Sequence, residues 1–484
     1  MDFRAFLKTN IVYLDGGMGT MLQAQGLGAG ELPERWNLTR ADVIQSVHKA
    51  YYEAGSHVIS TNTFGANALK YSAEELEQII KAAVDNAKAA RATVGEDKPR
   101  FIALDIGPTG KLLEPFGDLA FEAAVAAFAK AVQLGVKYGV DLIIIETMSD
   151  SLETKAAVLA AKENSNLPVL VSNAYEQGGR LMMGTTPAAL VAMLEGLGVD
   201  AIGANCSFGP KQLAAVAAQL VKHASVPVFV KPNAGLPQMV DGKVTYDVAA
   251  EAFADDVANM LQGGVRMCGG CCGTTPAHIA ALTARTAGMT PVAVAAKADT
   301  VIATGSDILT LGEDETVVSY HLTAAENEEF AAALADEDMD YATDEAVDQQ
   351  DEGADILAVS VAADGIDEVA ALKNVVGALQ SMVRMPLLLR AEKPAALELA
   401  LRHYNGKALI GNVDTDNMSA VFPLIKKYGG VVIVTITDEN EISAVLSAAT
   451  AHGIAARDLM FDTADSNILA HLPSAYQSKI LTTL

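Results

Sequence analysis

The chain has 484 residues, of which 51% are hydrophobic and 19% charged, with a formal net charge of −26. This length exceeds the size at which one hydrophobic core usually stops growing, so we expect two domains of a globular enzyme. The net negative charge disfavours nucleic acids and anionic membrane surfaces as partners, because proteins bind both mainly through Lys and Arg side chains. The sequence has neither an apolar run of the roughly 18 residues that suggest a membrane span nor an apolar signal-peptide region after Met1-Asp2-Phe3. We therefore expect a cytoplasmic protein.

Short apolar runs recur through residues 1–290, and each is followed by a stretch with helical periodicity. Eight such alternations are typical of a closed parallel (β/α)8 barrel, the TIM barrel, although an open doubly wound α/β sheet has the same local pattern. We favour the barrel. The predicted strands are Ile11–Asp15, Val58–Thr61, Phe101–Asp105, Leu142–Glu146, Val169–Asn173, Ala201–Asn205, Val228–Lys231 and Val265–Cys268.

Almost every predicted strand ends in a polar or glycine-rich motif. A parallel barrel builds its active site from the loops at the carboxyl ends of its strands, so these motifs predict one shared pocket. The motifs are Asp15-Gly16-Gly17-Met18-Gly19-Thr20, Thr61-Asn62-Thr63-Phe64-Gly65, Gly107-Pro108-Thr109-Gly110, Glu146-Thr147, Asn205-Cys206-Ser207, Pro232-Asn233-Ala234-Gly235 and Gly269-Gly270-Cys271-Cys272-Gly273.

Residues 291–305 are interpreted as a linker, because the chain there is rich in Ala, Val and Thr. A second α/β series follows in residues 306–484. Only about five or six strand–helix units fit into it, fewer than the eight of a full barrel, so we predict a second, shortened TIM-barrel-like domain. Its predicted strands are Ile356–Val361, Leu387–Leu389, Ala408–Val413, Val431–Ile436 and Leu459–Asp462.

Cysteines are concentrated at two strand ends. Cys206 follows the sixth predicted strand, and Cys271 and Cys272 follow the eighth, where neighbouring glycines permit a sharp turn. Catalytic zinc usually has three protein ligands and one open position, so these cysteines are candidate zinc ligands. Cys268 lies within a strand and is interpreted as a packed residue, although its CxxC spacing to Cys271 leaves a redox role or a fourth ligand open.

A zinc site of this kind suits a thiol substrate. A free thiol has a pKa near 8.5, and coordination to zinc deprotonates it. Because the resulting thiolate is a nucleophile, we predict that the site transfers an alkyl group to sulfur. The alternative is that each cysteine is simply a small buried apolar residue.

The motifs quoted above closely resemble those of the homocysteine-binding module of cobalamin-dependent methionine synthases. The resemblance extends from the first predicted strand to the last barrel helix and implies a homocysteine S-methyltransferase domain in residues 1–290. In that family the cysteines that match Cys206, Cys271 and Cys272 bind zinc. The substrate contacts that the resemblance implies are Asp15 and Glu146 to the amino group, backbone amides near Gly16 and Gly17 to the carboxylate, and Asn233 beside the zinc. Without the resemblance, Asp15 could equally be a turn residue and Glu146 a surface charge.

The second series resembles, more weakly, the pterin-binding module of the same synthases. The polar residues that the family uses for folate do not match: Ala358 and Ser360 stand where Asp and Asn are usual, and Arg390 stands where an Asp is usual. A buried pterin without such partners would leave polar atoms unpaired. We therefore expect a degenerate pterin-binding-like domain and do not expect it to bind folate. The resemblance rests on 349–357, 386–389 and 404–410.

These features predict methyl transfer to a zinc-bound homocysteine thiolate, which yields methionine. The cobalamin signature Asp-x-His-x-x-Gly does not occur in the chain, so we expect methylcobalamin to be carried by a separate corrinoid protein in trans. Three alternatives remain open: a sulfonium donor such as S-methylmethionine, a complete folate-to-homocysteine enzyme, and a non-catalytic zinc and thiol sensor or scaffold.

Overall fold

The computed structural model describes residues 2–95, 98–240, 243–312, 315–473, 476 and 481–483. The chain divides into two compact units, and each is built on its own parallel sheet. The first comprises Met1–Pro187 and Val199–Ala296, and the second comprises Ala188–Gly198 and Lys297–Leu484. In the described part of the chain, no helix is both long enough and apolar enough to cross a membrane.

Eight parallel strands form the sheet of the first unit, and they confirm the predicted barrel. The second to the eighth strand pair in chain order, and the first strand pairs with the eighth through Val12 and Met267. The ring closes on the other side through the His57 amide, which donates to the Tyr13 carbonyl at 2.7 Å. The strands are Val12–Tyr13, Val58–Ser60, Phe101–Ile106, Leu142–Met148, Val169–Asn173, Ala201–Asn205, Val228–Lys231 and Met267–Cys268.

Helices follow the strands, as the apolar periodicity predicts. Several begin at a capping side chain: Ser72 accepts from the Glu75 amide, and Asp150 accepts from the Glu153 amide. A short hairpin, Gln238–Val240 with Lys243–Thr245, follows the seventh strand. The helices are Phe3–Thr9, Met18–Ala24, Pro33–Arg35, Trp36–Thr39, Ala41–Ala54, Ala73–Ala92, Phe121–Tyr138, Ser151–Asn164, Pro187–Gly196, Pro210–His223, Ala250–Gln262 and Pro276–Arg285.

The interior of the barrel is apolar at the level of the strands and becomes polar at their carboxyl ends. Successive strand residues point to opposite faces, so residues two apart share a face. Asp105, Glu146 and Lys231 lie two residues beyond core positions on their strands, and all three are buried. They therefore cap the apolar core on the side where the glycine-rich motifs gather. The core residues are Phe3, Phe6, Leu7, Val12, Leu14, Val58, Phe101, Ala103, Leu142, Ile144, Leu170, Ala201, Phe229 and Met267.

The second unit contains a seven-stranded parallel sheet, which agrees with the prediction of a second, shortened α/β unit. Six strands pair in chain order, and Leu481–Thr483 pairs with the first of them. Three elements were not predicted: the first strand, Thr316–Thr323, the strand Leu481–Thr483, and an antiparallel hairpin of Thr300–Ala303 with Ile308–Leu311 that begins inside residues 291–305. The strands are Thr316–Thr323, Ile356–Ser360, Leu387–Arg390, Leu409–Val413, Val431–Thr435, Leu459–Asp462 and Leu481–Thr483.

The helices of this unit cover a core that includes Ile302, Val318, Leu388 and Leu409. Those in residues 297–484 are Glu328–Ala335, Met339–Asp351, Glu368–Met382, Pro394–His403, Met418–Tyr428, Glu441–His452, Ala456–Asp458 and Ser466–His471.

Candidate active site

Three cysteine sulfurs meet at the carboxyl end of the barrel. The Sγ atoms of Cys206, Cys271 and Cys272 all lie within 4.8 Å of one another, and the three residues are partly exposed. Zinc–sulfur bonds of about 2.3 Å in a tetrahedron separate the sulfurs by about 3.8 Å, so this donor set fits a zinc ion with one open position. Cys268 differs from the others, because it is fully buried within the eighth strand.

The backbone turns sharply where the cysteines converge. Cys206 and Ser207 have φ values of 59° and 57°, a left-handed conformation that non-glycine residues rarely adopt. Gly273, which follows Cys272, has a φ of 79°, as expected for a glycine that permits a turn. Such local strain is typical of functional sites, and here it directs side chains from two strand ends toward one point.

Hydrogen bonds among the thiols make them unequal. Bonds from Cys271 and Cys272 lower the pKa of Cys206, and the bond to Cys206 raises the pKa of Cys271. The pKa of Cys272 is also raised, first by its bond to Cys206. The negative charge of one thiolate is therefore favoured at Cys206, where it would attract a cation.

Asn205 and Asn233 form hydrogen bonds with the loop that carries Cys271 and Cys272. The Asn205 side chain donates to Thr147 Oγ1 at 2.6 Å and to Cys271 Sγ at 3.8 Å. Its Oδ1 accepts from the Thr147 amide at 2.8 Å. Asn233 Oδ1 accepts from the Cys272 amide at 3.0 Å, so this predicted residue does lie beside the cysteines.

The glycine-rich motif of residues 15–20 packs closely against the loop that carries Cys271 and Cys272. A Cβ on Gly17 would lie 2.6 Å from the Cys271 carbonyl oxygen, so only glycine fits there without a shift. The Gly17 amide donates to Thr274 Oγ1 at 3.0 Å, and Thr274 Oγ1 in turn donates to the Cys271 carbonyl at 2.6 Å. The two loops therefore hold each other in place.

Asp15 and Glu146 meet around a buried lysine. Lys231 Nζ lies 2.6 Å from Glu146 Oε2 and 3.5 Å from Asp15 Oδ1, and Asp15 Oδ2 accepts from the Ser60 amide at 2.6 Å. Burial opposes the charge on Lys231, but the Glu146 and Asp15 carboxylates outweigh it and raise the Lys231 pKa well above its usual value. Burial also raises the pKa of Asp15, and Lys231 partly offsets this effect.

A third carboxylate, Asp105, belongs to the same group. It is 7% exposed, and its Oδ1 has no hydrogen-bond partner in the described part of the chain. Burial, and then the negative charge of Glu146, raise the pKa of Asp105 well above its usual value.

No role in the site was predicted for Lys231, Asp105 or Asn205, although the motif that contains Asn205 was predicted to line the pocket. A signal for the first two was available: each charged residue continues the inward-facing alternation of an apolar strand, and a buried charge needs a partner. The identity of that partner depends on how distant strands meet across the barrel. Asn205 could have been suspected because it precedes a candidate zinc ligand.

The strand ends of the second unit carry different side chains. The Arg390 guanidinium lies over the Tyr320 ring, 5.6 Å from its centre. Asn412 has a φ of 58°, and its side chain donates to the Ala391 carbonyl. Ala358 is fully buried in its strand.

A family model described as homocysteine S-methyltransferase matches residues 12–286. Over 465 residues the chain is 29% identical to methionine synthase from Mycobacterium tuberculosis (strain ATCC 25618 / H37Rv), covering 91% of this chain and 39% of that protein. It is also 29% identical over 478 residues to methionine synthase from Mycobacterium leprae (strain TN), with the same coverage. The chain thus spans about two fifths of the length of these relatives.

Solved structures of the Escherichia coli homocysteine methyltransferase MmuM resemble the chain. The metallated form has a TM-score of 0.50 and 27% identity, covering 58% of this chain and 99% of that chain. The oxidized form has a TM-score of 0.50 and 26% identity, covering 57% and 96%. Because the family model spans more than half of the sequence and includes every predicted site residue, the chain belongs to the homocysteine S-methyltransferase family.

Proposed function

We propose that this protein transfers a methyl group to the sulfur of homocysteine, forming methionine, with zinc held by Cys206, Cys271 and Cys272. The observation that carries the proposal is the convergence of three thiols within 4.8 Å at the carboxyl end of the barrel. A zinc ion held there would bind the thiol of homocysteine in its open position and keep it as a nucleophilic thiolate at neutral pH.

The protein's own residues position the thiols and the substrate. Asn205 donates to the Cys271 sulfur and Asn233 accepts from the Cys272 amide, so the loop that carries Cys271 and Cys272 is bonded to two neighbouring strand ends. Second-layer hydrogen bonds of this kind orient metal ligands and typically change affinity or activity by about 10- to 100-fold. We assign the substrate's amino group to the Asp15 and Glu146 carboxylates.

The substrate's carboxylate is assigned to backbone amides near Gly16 and Gly17. The Gly17 amide donates to Thr274 Oγ1, so it serves the substrate only through a shift of that bond. Asn233 is assigned to the vicinity of the zinc, next to the cysteine loop to which it is bonded.

For the methyl donor we propose methylcobalamin carried by a separate corrinoid protein. We assign residues 1–290 to the homocysteine-binding TIM barrel, 291–305 to a linker and 306–484 to a degenerate pterin-binding-like domain. The support for the last assignment is the absence of pterin-binding carboxylate and amide groups at Ala358, Ser360 and Arg390.

The test measures methionine formation by the anaerobically purified, zinc-loaded protein with homocysteine and one methyl donor at a time. Free methylcobalamin represents the corrinoid donor, and S-methylmethionine represents the sulfonium donor. Methionine formed with methylcobalamin supports the proposal, and methionine formed only with S-methylmethionine refutes the corrinoid donor. Zinc binding without turnover by either donor argues for the sensor.

A further inference from the structure

Lys231 is already paired with Glu146 and Asp15, the carboxylates to which the substrate's amino group is assigned. Its ammonium group lies 2.6 Å from Glu146 Oε2 and 3.5 Å from Asp15 Oδ1, and its side chain is only 3% exposed. The other Asp15 oxygen accepts from the Ser60 amide at 2.6 Å. A second ammonium group that entered this position would therefore find both carboxylates already paired with a resident cation.

Asp105 provides a carboxylate that is not yet paired. Its Oδ1 is buried and has no hydrogen-bond partner among the residues that the structure describes. Buried polar atoms are almost always satisfied, so an orphan oxygen beside a cation requires an explanation. Asp105 faces the barrel interior in the same way as Glu146 and Lys231. After burial, the charge of Glu146 raises the Asp105 pKa and the charge of Lys231 lowers it.

The acidic groups of this cluster outnumber its cation. Lys231 Nζ contacts the carboxylates of Glu146 and Asp15, and the carboxyl group of Asp105 also acts on its charge. A lysine ammonium on its flexible stem can turn from one acceptor to another, unlike the rigid fork of an arginine. A substrate ammonium would raise the number of cations to two, and the orphan oxygen of Asp105 is available for one of them.

We propose that the ammonium group of the substrate displaces Lys231 from Glu146 and Asp15, and that Lys231 then pairs with Asp105. This inference rests on the proposed function, because homocysteine is taken as the substrate. Lys231 and Asp105 become positioning residues that select thiols with an α-ammonium group. A mercapto acid without that group leaves Lys231 where it is and gains nothing from Asp105.

The test compares the affinities of homocysteine and 4-mercaptobutyrate, which lacks the amino group, for the zinc-loaded protein by calorimetry. Asp105→Asn should weaken homocysteine binding by about 10- to 100-fold, the cost of a lost charged hydrogen bond, and change 4-mercaptobutyrate binding by less than about threefold. Asp85→Asn, which removes an exposed carboxylate of the same unit, is the matched control and should change neither.

The double variant Asp105→Asn/Lys231→Met decides whether the effect acts through Lys231. Removing both partners of a buried pair costs less than removing one, so homocysteine affinity should return to within about threefold of the wild type. A defect that persists in the double variant would mean that Asp105 contacts the substrate itself, and would overturn the displacement. Equal weakening of both thiols by Asp105→Asn, or weakening of neither, would also overturn it.

Two checks separate this inference from the proposed function. Zinc content and the thermal midpoint are measured for each variant, and Asp105→Ser replaces Asp105→Asn if the latter does not fold. Wild-type protein that binds homocysteine more tightly than 4-mercaptobutyrate but forms no methionine contradicts the proposed function alone. Wild-type protein that forms methionine with no dependence of affinity on Asp105 contradicts this inference alone.

Discussion

The carboxyl ends of the two parallel sheets differ in the side chains that they present. In the first unit, strand ends bring together three thiols, buried carboxylates and a buried lysine. In the second unit, the corresponding edge carries Arg390 over Tyr320, beside the left-handed Asn412. Both sheets have the parallel architecture that places binding sites at this edge. The shared architecture therefore provides a position for a binding or active site, whereas the residues at the strand ends decide whether chemistry occurs there.

Removal of one thiol should have the largest effect. Cys272→Ala leaves two of the three clustered sulfurs, so we expect loss of bound zinc and a fall in methionine formation of at least about 100-fold. Metal analysis and a methionine assay measure both. Cys268→Ala is the matched control: it lies within the core, its thiol pKa is raised by burial, and it should keep the zinc and most of the activity. Equal zinc loss in the two variants would contradict the assignment.

Acid should destabilise the first unit before the second. Burial lowers the pKa of His48 to about 4. Burial is also the largest cause that lowers the pKa of His57 to about 4. Between pH 6.5 and about 4 the unfolded chain takes up protons that the folded chain does not, so stability falls as the pH falls. For His48 alone the loss approaches about 3 kcal/mol, and above pH 6.5 it vanishes.

Urea titrations at pH 7.5 and 4.5 measure this loss. His48→Met should reduce the difference between the two pH values, because a methionine takes up no proton in either state. His321→Gln changes an exposed histidine of the second unit and should leave the difference unchanged. An identical acid response in wild type and His48→Met would contradict the explanation.

An added methyl group should be tolerated at Gly411 of the second unit but not at Gly17 of the first. A Cβ on Gly17 would lie 2.6 Å from the Cys271 carbonyl, whereas a Cβ on Gly411 would lie no closer than 3.1 Å, to a flexible Leu388 side chain. We expect Gly17→Ala to cost about 1–3 kcal/mol and to lower activity by displacing the cysteine loop. Gly411→Ala should cost less than about 1 kcal/mol and leave activity unchanged. Chemical denaturation and the methionine assay test both, and the reverse order of effects would refute the comparison.

The smallest expected signal concerns folate. The proposed degenerate pterin-binding-like domain has no carboxylate or amide side chain at Ala358, Ser360 or Arg390, so we expect no saturable binding of methyltetrahydrofolate. Equilibrium dialysis with the full chain measures this, with homocysteine as the positive control. Saturable binding that is lost in Arg390→Ala would restore the folate-dependent alternative.

The sequence predicted the strands of both sheets where they are continuous apolar runs, because buried parallel strands have that pattern. It did not predict Thr316–Thr323, in which apolar residues alternate irregularly with Ser319 and His321. The convergence of the three cysteines could be anticipated because all follow strands of one parallel barrel. The pairing of Lys231 with Glu146 could not, since it joins the seventh and fourth strands across the interior and depends on the packed geometry.

The most direct test of the central claim is X-ray absorption spectroscopy at the zinc edge, together with metal analysis, on protein purified under anaerobic, reducing conditions. We predict about one zinc per chain, with about three sulfur neighbours from protein in the absence of homocysteine. Protein that contains no zinc, or zinc with nitrogen and oxygen neighbours in place of sulfur, would contradict the account.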